Sequence, residues 1–264
     1  MSRIVVAATK KLTPHMTRVT FTAPGLAEIG VWPDQQLKLM FPPPGRPLVL
    51  PDTSEDDTMR WYQAFLAIPE ADRPTMRSFT VRDRTGDTLL IDFVLHPHGG
   101  PAARWAQTAR PGDELGRYGP SPEYARYLNL TAGWVLLAGD ETALPAVGSL
   151  LPLPNATVLV EVADRDEEQD LPGVTWLHRA GAPHGHMLTK AVAALDIPAR
   201  DTFAWLAGEA TMVRTLRRDL VARGIPKKNI DFAGYWRKSL TQDDAPTAED
   251  LAEAQERLAA MEGQ

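Results

Sequence analysis

The feature that most restricts this chain is a change of hydrophobic pattern near Leu130. Ahead of it, short stretches rich in Val, Thr and Phe, at residues 3–7, 17–21, 36–41, 77–82 and 88–95, alternate with Pro and Gly turns. Runs bounded in this way read as strands of a small antiparallel barrel. Behind Leu130, strand-like runs at 134–138, 157–162, 174–177, 203–207 and 230–233 are separated by helical spans starting at Thr142 and covering 186–195 and 210–223. Parallel strands need a crossover between them, so this alternation predicts a doubly wound parallel sheet. In the tail, Leu251, Ala254, Leu258 and Met261 fall at helical spacing and predict a C-terminal helix. The expected fold class is therefore β + α/β: an N-terminal antiparallel β-barrel over 1–129, a parallel-sheet α/β domain over 130–242, and a helical tail over 243–264. Between Pro42 and Pro74 a stretch dense in Pro, Asp and Glu carries Met59-Arg60-Trp61-Tyr62; it reads as an excursion with one helical turn that shapes a pocket mouth.

At 264 residues the chain can bury two cores of ordinary size. It has no cysteine, which removes disulfides, thiol catalysis and cysteine-ligated zinc or iron–sulfur centres. Redox chemistry would then need a bound organic cofactor or a histidine-bound metal. The formal charge of -6 argues against nucleic acid as a partner. No apolar run is long enough to span a membrane, and Met1-Ser2-Arg3-Ile4-Val5-Val6 lacks the features of a signal peptide, so a cytoplasmic protein with no membrane partner is expected.

Arg77-Ser78-Phe79-Thr80-Val81-Arg82 offers the groups a flavin nucleotide needs: a ring to stack on, a hydroxyl, and two guanidinium groups. Period-2 order puts Arg77, Phe79 and Val81 on one face of a strand, and Thr80 and Arg82 on the other. An ordinary barrel strand with exposed arginines would show the same pattern. The balance shifts with His96-Pro97-His98-Gly99-Gly100-Pro101-Ala102-Ala103-Arg104-Trp105, which comes directly after the next strand. Its glycines allow close approach, Pro101 suits a first helical position, and the new helix offers its amides to a pyrophosphate. His96 and His98, like His184 and His186, form an H-x-H pair, too few ligands for a metal site without a completing cluster.

Ala138-Gly139-Asp140-Glu141-Thr142-Ala143 stands at the first strand-to-helix turn of the second domain, where a dinucleotide would bind, although it is not G-x-G-x-x-G. Asp140 or Thr142 can cap the helix. Ala207-Gly208-Glu209-Ala210 repeats the arrangement after a later strand, where a nicotinamide would lie.

These segments, together with Gly234-Tyr235-Trp236-Arg237, occur in the same order as in the siderophore-interacting proteins, which the chain resembles over nearly its whole length. That family is a branch of the ferredoxin-reductase-like flavoproteins. The resemblance implies an FAD-binding barrel followed by an NAD(P)H-binding domain, with cofactor contacts from Arg77, Phe79, Thr80, Val81, Arg82, His96, Gly100, Pro101, Ala102, Ala103, Trp105, Asp140, Thr142, Ala143, Gly208 and Glu209. It implies FAD-dependent reduction of Fe(III) held by a siderophore, the nicotinamide being the electron source. A ferric siderophore, bulky and often anionic, would be the partner of a monomeric chain, with Lys38, Arg237 and Lys238 as basic contacts and no resident metal. Three departures stand out: Phe79 replaces the family's usual tyrosine, Pro101-Ala102-Ala103 lacks a hydroxyl for phosphate, and Ser121-Pro122-Glu123 lacks a basic residue found in some members. Acids outnumber Arg165 in Glu161-Val162-Ala163-Asp164-Arg165-Asp166-Glu167, which tilts the expectation toward NADH over NADPH. Two other functions share these features: a reductase for a protein acceptor such as a ferredoxin, and a flavin-binding iron carrier without turnover.

Overall fold

The computed structural model describes residues 1–51, 58–96, 99–120, 125–126, 128–198 and 200–238. His98, Ser121-Pro122-Glu123 and the helix expected over 243–264 lie outside the described residues. The chain forms two compact units: Met1–Tyr127 with Leu144–Pro152 and Val162–Pro172, and Leu128–Ala143 with Leu153–Glu161 and Gly173–Gln264.

In the first unit β1 (Ser2–Thr13), β2 (Met16–Thr22), β3 (Gln36–Phe41), β4 (Thr75–Thr80), β5 (Asp83–Thr85), β6 (Thr88–Val94) and β7 (Glu114–Tyr118) build one antiparallel sheet in the order β4-β3-β7-β1-β2-β6-β5. Between β4 and β5 the chain serves both ends of that order. The Val81 N–H donates to Gln35 O at 2.7 Å and the Arg82 N–H to Leu90 O at 2.9 Å, which curls the sheet toward closure. Strand alternation sets the core: Leu37, Leu39 and Phe41 point inward among Ile4, Val19, Phe21, Ile91, Phe93 and Leu115, while Lys38 between them is exposed.

Met40 breaks the alternation, being buried on the outer face. The cause is α1 (Thr58–Ala67), a helix of 10 residues where the sequence suggests one turn. Trp61, Phe65 and Ile68 recur at helical spacing and pack with Leu48 over Met40. A second helix, α2 (Pro101–Thr108), puts Ala106 into the barrel core.

The second sheet has β8 (Trp134–Asp140), β9 (Ala156–Val162), β10 (Val174–His178), β11 (Thr202–Glu209) and β12 (Ile230–Trp236) in the order β10-β9-β8-β11-β12. β8 pairs in parallel with β9 and β11, and β11 with β12. β8 and β11 are almost wholly apolar because a central parallel strand is covered on both faces. The helix expected from Thr142 begins as a 3-10 turn, Glu141–Ala143, and becomes α3 at Leu144–Leu150. One face of the sheet is covered by α4 (His186–Ala193) and α5 (Ala210–Ala222), whose Leu188, Val192, Val213, Leu216 and Leu220 meet Leu136, Ala138 and Leu206. The fold is an antiparallel barrel-type sheet followed by a parallel doubly wound one, as the sequence pattern predicts.

Candidate functional site

β4 carries Arg77 and Phe79 on one face, paired in register with Leu39 and Leu37 of β3. Phe79 is half-buried, its ring centroid 4.5 Å from Phe93 and 6.0 Å from Phe41. The core thus braces the ring, leaving part of it accessible for stacking. Arg77 is half-buried and donates from Nη1 to Met76 O at 2.8 Å. Thr80 and Val81 are buried, so their side chains brace the strand. Arg82 lies against α3: a Cβ on Gly148 would sit 2.5 Å from its Nε. Burial, then repulsion from Arg18, lowers the Arg82 pKa.

His96 and Gly99 form the turn before α2, the Gly99 N–H donating to His96 O at 2.9 Å. Gly100 is the N-cap, Pro101 follows at N1, and no side chain caps the helix. Ala103 is buried, Ala102 packs on the barrel core, and the Trp105 ring lies 5.5 Å from Phe41 and 5.6 Å from Phe93. With those side chains turned inward, the helix start offers a ligand its backbone amides, the groups a pyrophosphate uses. The guanidinium, the half-exposed ring and the uncapped helix start, where Arg104 Nη1 donates to Gly99 O at 2.8 Å, fit a flavin dinucleotide.

Lys38 is exposed and donates from Nζ to Ser78 Oγ at 2.6 Å. Burial of its amine, then the nearby Arg77 charge, lowers its pKa. In the second unit Arg237 is half-buried and Lys238 exposed, just after β12.

The strand order of the second sheet reverses between β8 and β11, the crevice where open α/β sheets take ligands. Two glycines make the crevice. A Cβ on Gly139 would meet Ala143 Cβ at 2.4 Å and Ala207 O at 2.6 Å, so only glycine lets this turn pack so closely. Gly208 has φ +136 and would drive a Cβ to 2.6 Å from Asp140 Oδ2. Asp140 and Ala143 are fully buried, and Thr142 is half-buried. Glu209 caps α5 by accepting the Met212 N–H at 2.9 Å. These side chains form the floor of the crevice and hold the Thr142, Glu209 and Met212 amides. A cavity of about 310 Å³ opens beside Glu209, lined by His184, His186, Thr189, Thr211, Met212 and Thr215.

The acids at the end of β9 and just after it are largely engaged within the fold. Glu161 accepts the Gly185 and Leu188 N–H groups at 2.7 and 2.9 Å and so caps α4. Glu167 accepts from Thr13 Oγ1 at 2.6 Å and pairs with His15 Nδ1 at 2.6 Å. Asp164 accepts the Asp166 N–H at 2.9 Å. Counting acids in this segment therefore says little about a ribose partner. Arg179 and Trp236, absent from the sequence-derived site, prove central to the crevice: Arg179 forks onto Glu141 at 2.7 and 2.9 Å, and Trp236 bonds Asp140 at 2.9 Å.

The profile of the siderophore-interacting FAD-binding domain matches residues 5–124, and that of the siderophore-interacting protein family matches 132–239. The chain is a siderophore-interacting protein. Among relatives, an NADPH-dependent ferric-chelate reductase of Escherichia coli is 31% identical, over 77% of this chain and 79% of that one. A ferric vibriobactin reductase of Vibrio cholerae is 30% identical, covering 89% and 88%. The solved structure of a siderophore utilization protein from T. fusca superposes with a TM-score of 0.74 at 32% identity, covering 92% of this chain and 95% of that one. Among the described residues of this siderophore-interacting protein, no helix is long and apolar enough to cross a membrane.

Proposed function

We infer that this siderophore-interacting protein is an NAD(P)H-dependent ferric-siderophore reductase acting in the cytoplasm. The observation that carries the reading is one chain holding both a flavin-type barrel and a glycine-lined switch point between β8 and β11. An iron carrier without turnover would need no crevice for a second nucleotide. A reductase for a protein acceptor would want a broad basic docking face, which a chain of net charge -6 supplies poorly. FAD, when bound, would take a hydride from the nicotinamide and pass its two electrons one at a time to two Fe(III), leaving oxidised nicotinamide, a proton and two Fe(II).

Arg77 neutralises flavin phosphate charge, Phe79 backs the flavin ring, and the amides of Ala102 and Ala103 seat the pyrophosphate. Gly139 and Gly208 let the turns after β8 and β11 pack closely enough to form the crevice in which the nicotinamide nucleotide seats. Lys38, Arg237 and Lys238 attract the anionic chelate. Hard oxygen donors hold Fe(III) far more tightly than Fe(II), so reduction frees the metal from the siderophore. Supported by the NADPH-dependent relative, either nicotinamide is a candidate donor. The test is anaerobic mixing of FAD-loaded protein, nicotinamide and a ferric siderophore with a chromogenic Fe(II) chelator. Colour that requires all three components supports the reading; colour only after adding a ferredoxin, or none at all, points to the protein-acceptor or carrier function.

A further inference from the structure

The carboxyl ends of β8, β11 and β12 meet at one buried side chain, Asp140. Its Oδ1 accepts the Thr142 N–H at 2.9 Å and the Thr142 hydroxyl at 2.5 Å. Its Oδ2 accepts the Glu209 N–H at 2.7 Å and the Trp236 indole N–H at 2.9 Å. Each of these partners is a donor. A carboxylate presents acceptors on both oxygens, whereas asparagine, or a protonated carboxyl, turns one hydrogen-bearing group toward donors. The glycine at 208 is part of the same device, since any side chain there would strike the carboxylate.

A fully buried carboxylate is costly, and a serine could cap the turn alone. The charge adds reach across three strands, to the Glu209 backbone and to Trp236. Trp236 ends β12 next to the bulge where Gly208 and Glu209 slip register against it. Its ring meets His184 edge-on, with centroids 5.1 Å apart. The charged groups around Asp140 are Glu141, which repels it, and Arg179, which attracts it while bonded to Glu141 and standing 3.6 Å from Glu161. The Glu209 carboxylate is turned to the Met212 amide. His184 has its pKa lowered by burial and then by Arg179.

We propose that Asp140 is a positioning residue: ionised, it fixes Trp236 and the Gly208-Glu209 backbone as the wall on which the nicotinamide end of the dinucleotide seats, and protonation releases Trp236. The proposal rests on the reading of the crevice as a nicotinamide site. Burial, then Glu141, raises the Asp140 pKa to about 6, so the release falls just below neutral pH.

The test uses FAD-loaded protein with ¹⁵N-labelled tryptophan and no nicotinamide. The Trp236 indole signal, one of 7, is assigned by its loss in Trp236→Phe. It should titrate with a midpoint near pH 6 in the wild type, and stay at its acid-limit position in Asp140→Asn at all pH values. NADP⁺ and NAD⁺ binding, followed by calorimetry, should weaken about tenfold from pH 7.5 to pH 5, the size of one charge-assisted hydrogen bond, and Asp140→Asn should flatten that profile. Trp236→Phe, which removes the indole donor and spares the carboxylate, should flatten it too. A Trp236 signal that does not titrate overturns the tie. A titrating signal with a pH-independent nucleotide affinity overturns the positioning role. Failure of both nucleotides to bind at any pH, with the signal titrating normally, overturns the nicotinamide reading and this role with it, but leaves the tie standing.

Discussion

Replacing Arg179 by methionine should destabilise the second unit by about 3–5 kcal/mol at neutral pH, the usual cost of removing one partner from a buried ion pair. The size is set by the groups the side chain holds. Its side chain, 9% exposed, forks onto Glu141 at 2.7 and 2.9 Å and stands 3.6 Å from Glu161, which is fully buried. Asp140, also fully buried, adds a third carboxylate to the group. Methionine fills the volume but leaves these charges uncompensated. At roughly 2–4 °C per kcal/mol for a chain of this size, the melting transition should fall by about 6–20 °C. Losing Arg179 also removes a cation from near Asp140, whose pKa burial and Glu141 already raise; that pKa rises further, so the folded state gains protons relative to the unfolded one and the penalty shrinks as the pH is lowered. Scanning calorimetry from pH 5 to pH 8 on both proteins measures it. A loss under about 1 kcal/mol, equal at all pH values, is the behaviour of an exposed pair and would show that Arg179 does not compensate these buried charges.

Arg77→Ala should loosen FAD by about 1.5–3 kcal/mol, the range for a hydrogen bond to a charged group, seen as a lower ratio of flavin to protein absorbance after purification. Phe79→Tyr should keep FAD and Phe79→Ala should lose flavin fluorescence quenching; full quenching in the alanine variant would place the flavin ring elsewhere. Lys38→Ala should raise KM for an anionic ferric siderophore, more at low salt than above 0.1 M where screening acts within about 10 Å, without slowing flavin reduction by the nicotinamide. Asp140 titrates at about 6 in the fold against 3.8 free. Between those values the folded chain holds a proton that the unfolded chain has lost. Wild-type stability should therefore rise relative to Asp140→Asn as pH falls through that window, by at most about 3 kcal/mol in urea titrations.

Alternation within β3 and the apolar runs of β8 and β11 are local properties, so the two sheets can be read directly from the sequence. The pattern marks β1 only to Ala7, because beyond it two register shifts and the exposed Lys10 and Lys11 erase the period. α1 is longer than its sequence suggests because Pro and acidic residues around it obscure Trp61, Phe65 and Ile68. At the site, residue types are legible and their direction is not. Glu161 and Glu167 look like free acids in sequence, yet each is bound by groups more than 20 residues away. The Asp140 bond to Trp236 spans a separation of 96 residues, which no local pattern encodes.

If the proposed function holds, electrons pass from nicotinamide through flavin to siderophore-bound iron. Anaerobic stopped-flow absorbance on the FAD-loaded protein, reduced with one equivalent of nicotinamide and then mixed with a ferric siderophore, tests it most directly. Flavin absorbance should bleach in the first step and return in the second, with two Fe(II) formed per flavin. Flavin that bleaches but stays reduced in the presence of the ferric siderophore, while a ferredoxin restores it, would rule out siderophore-bound iron as the acceptor.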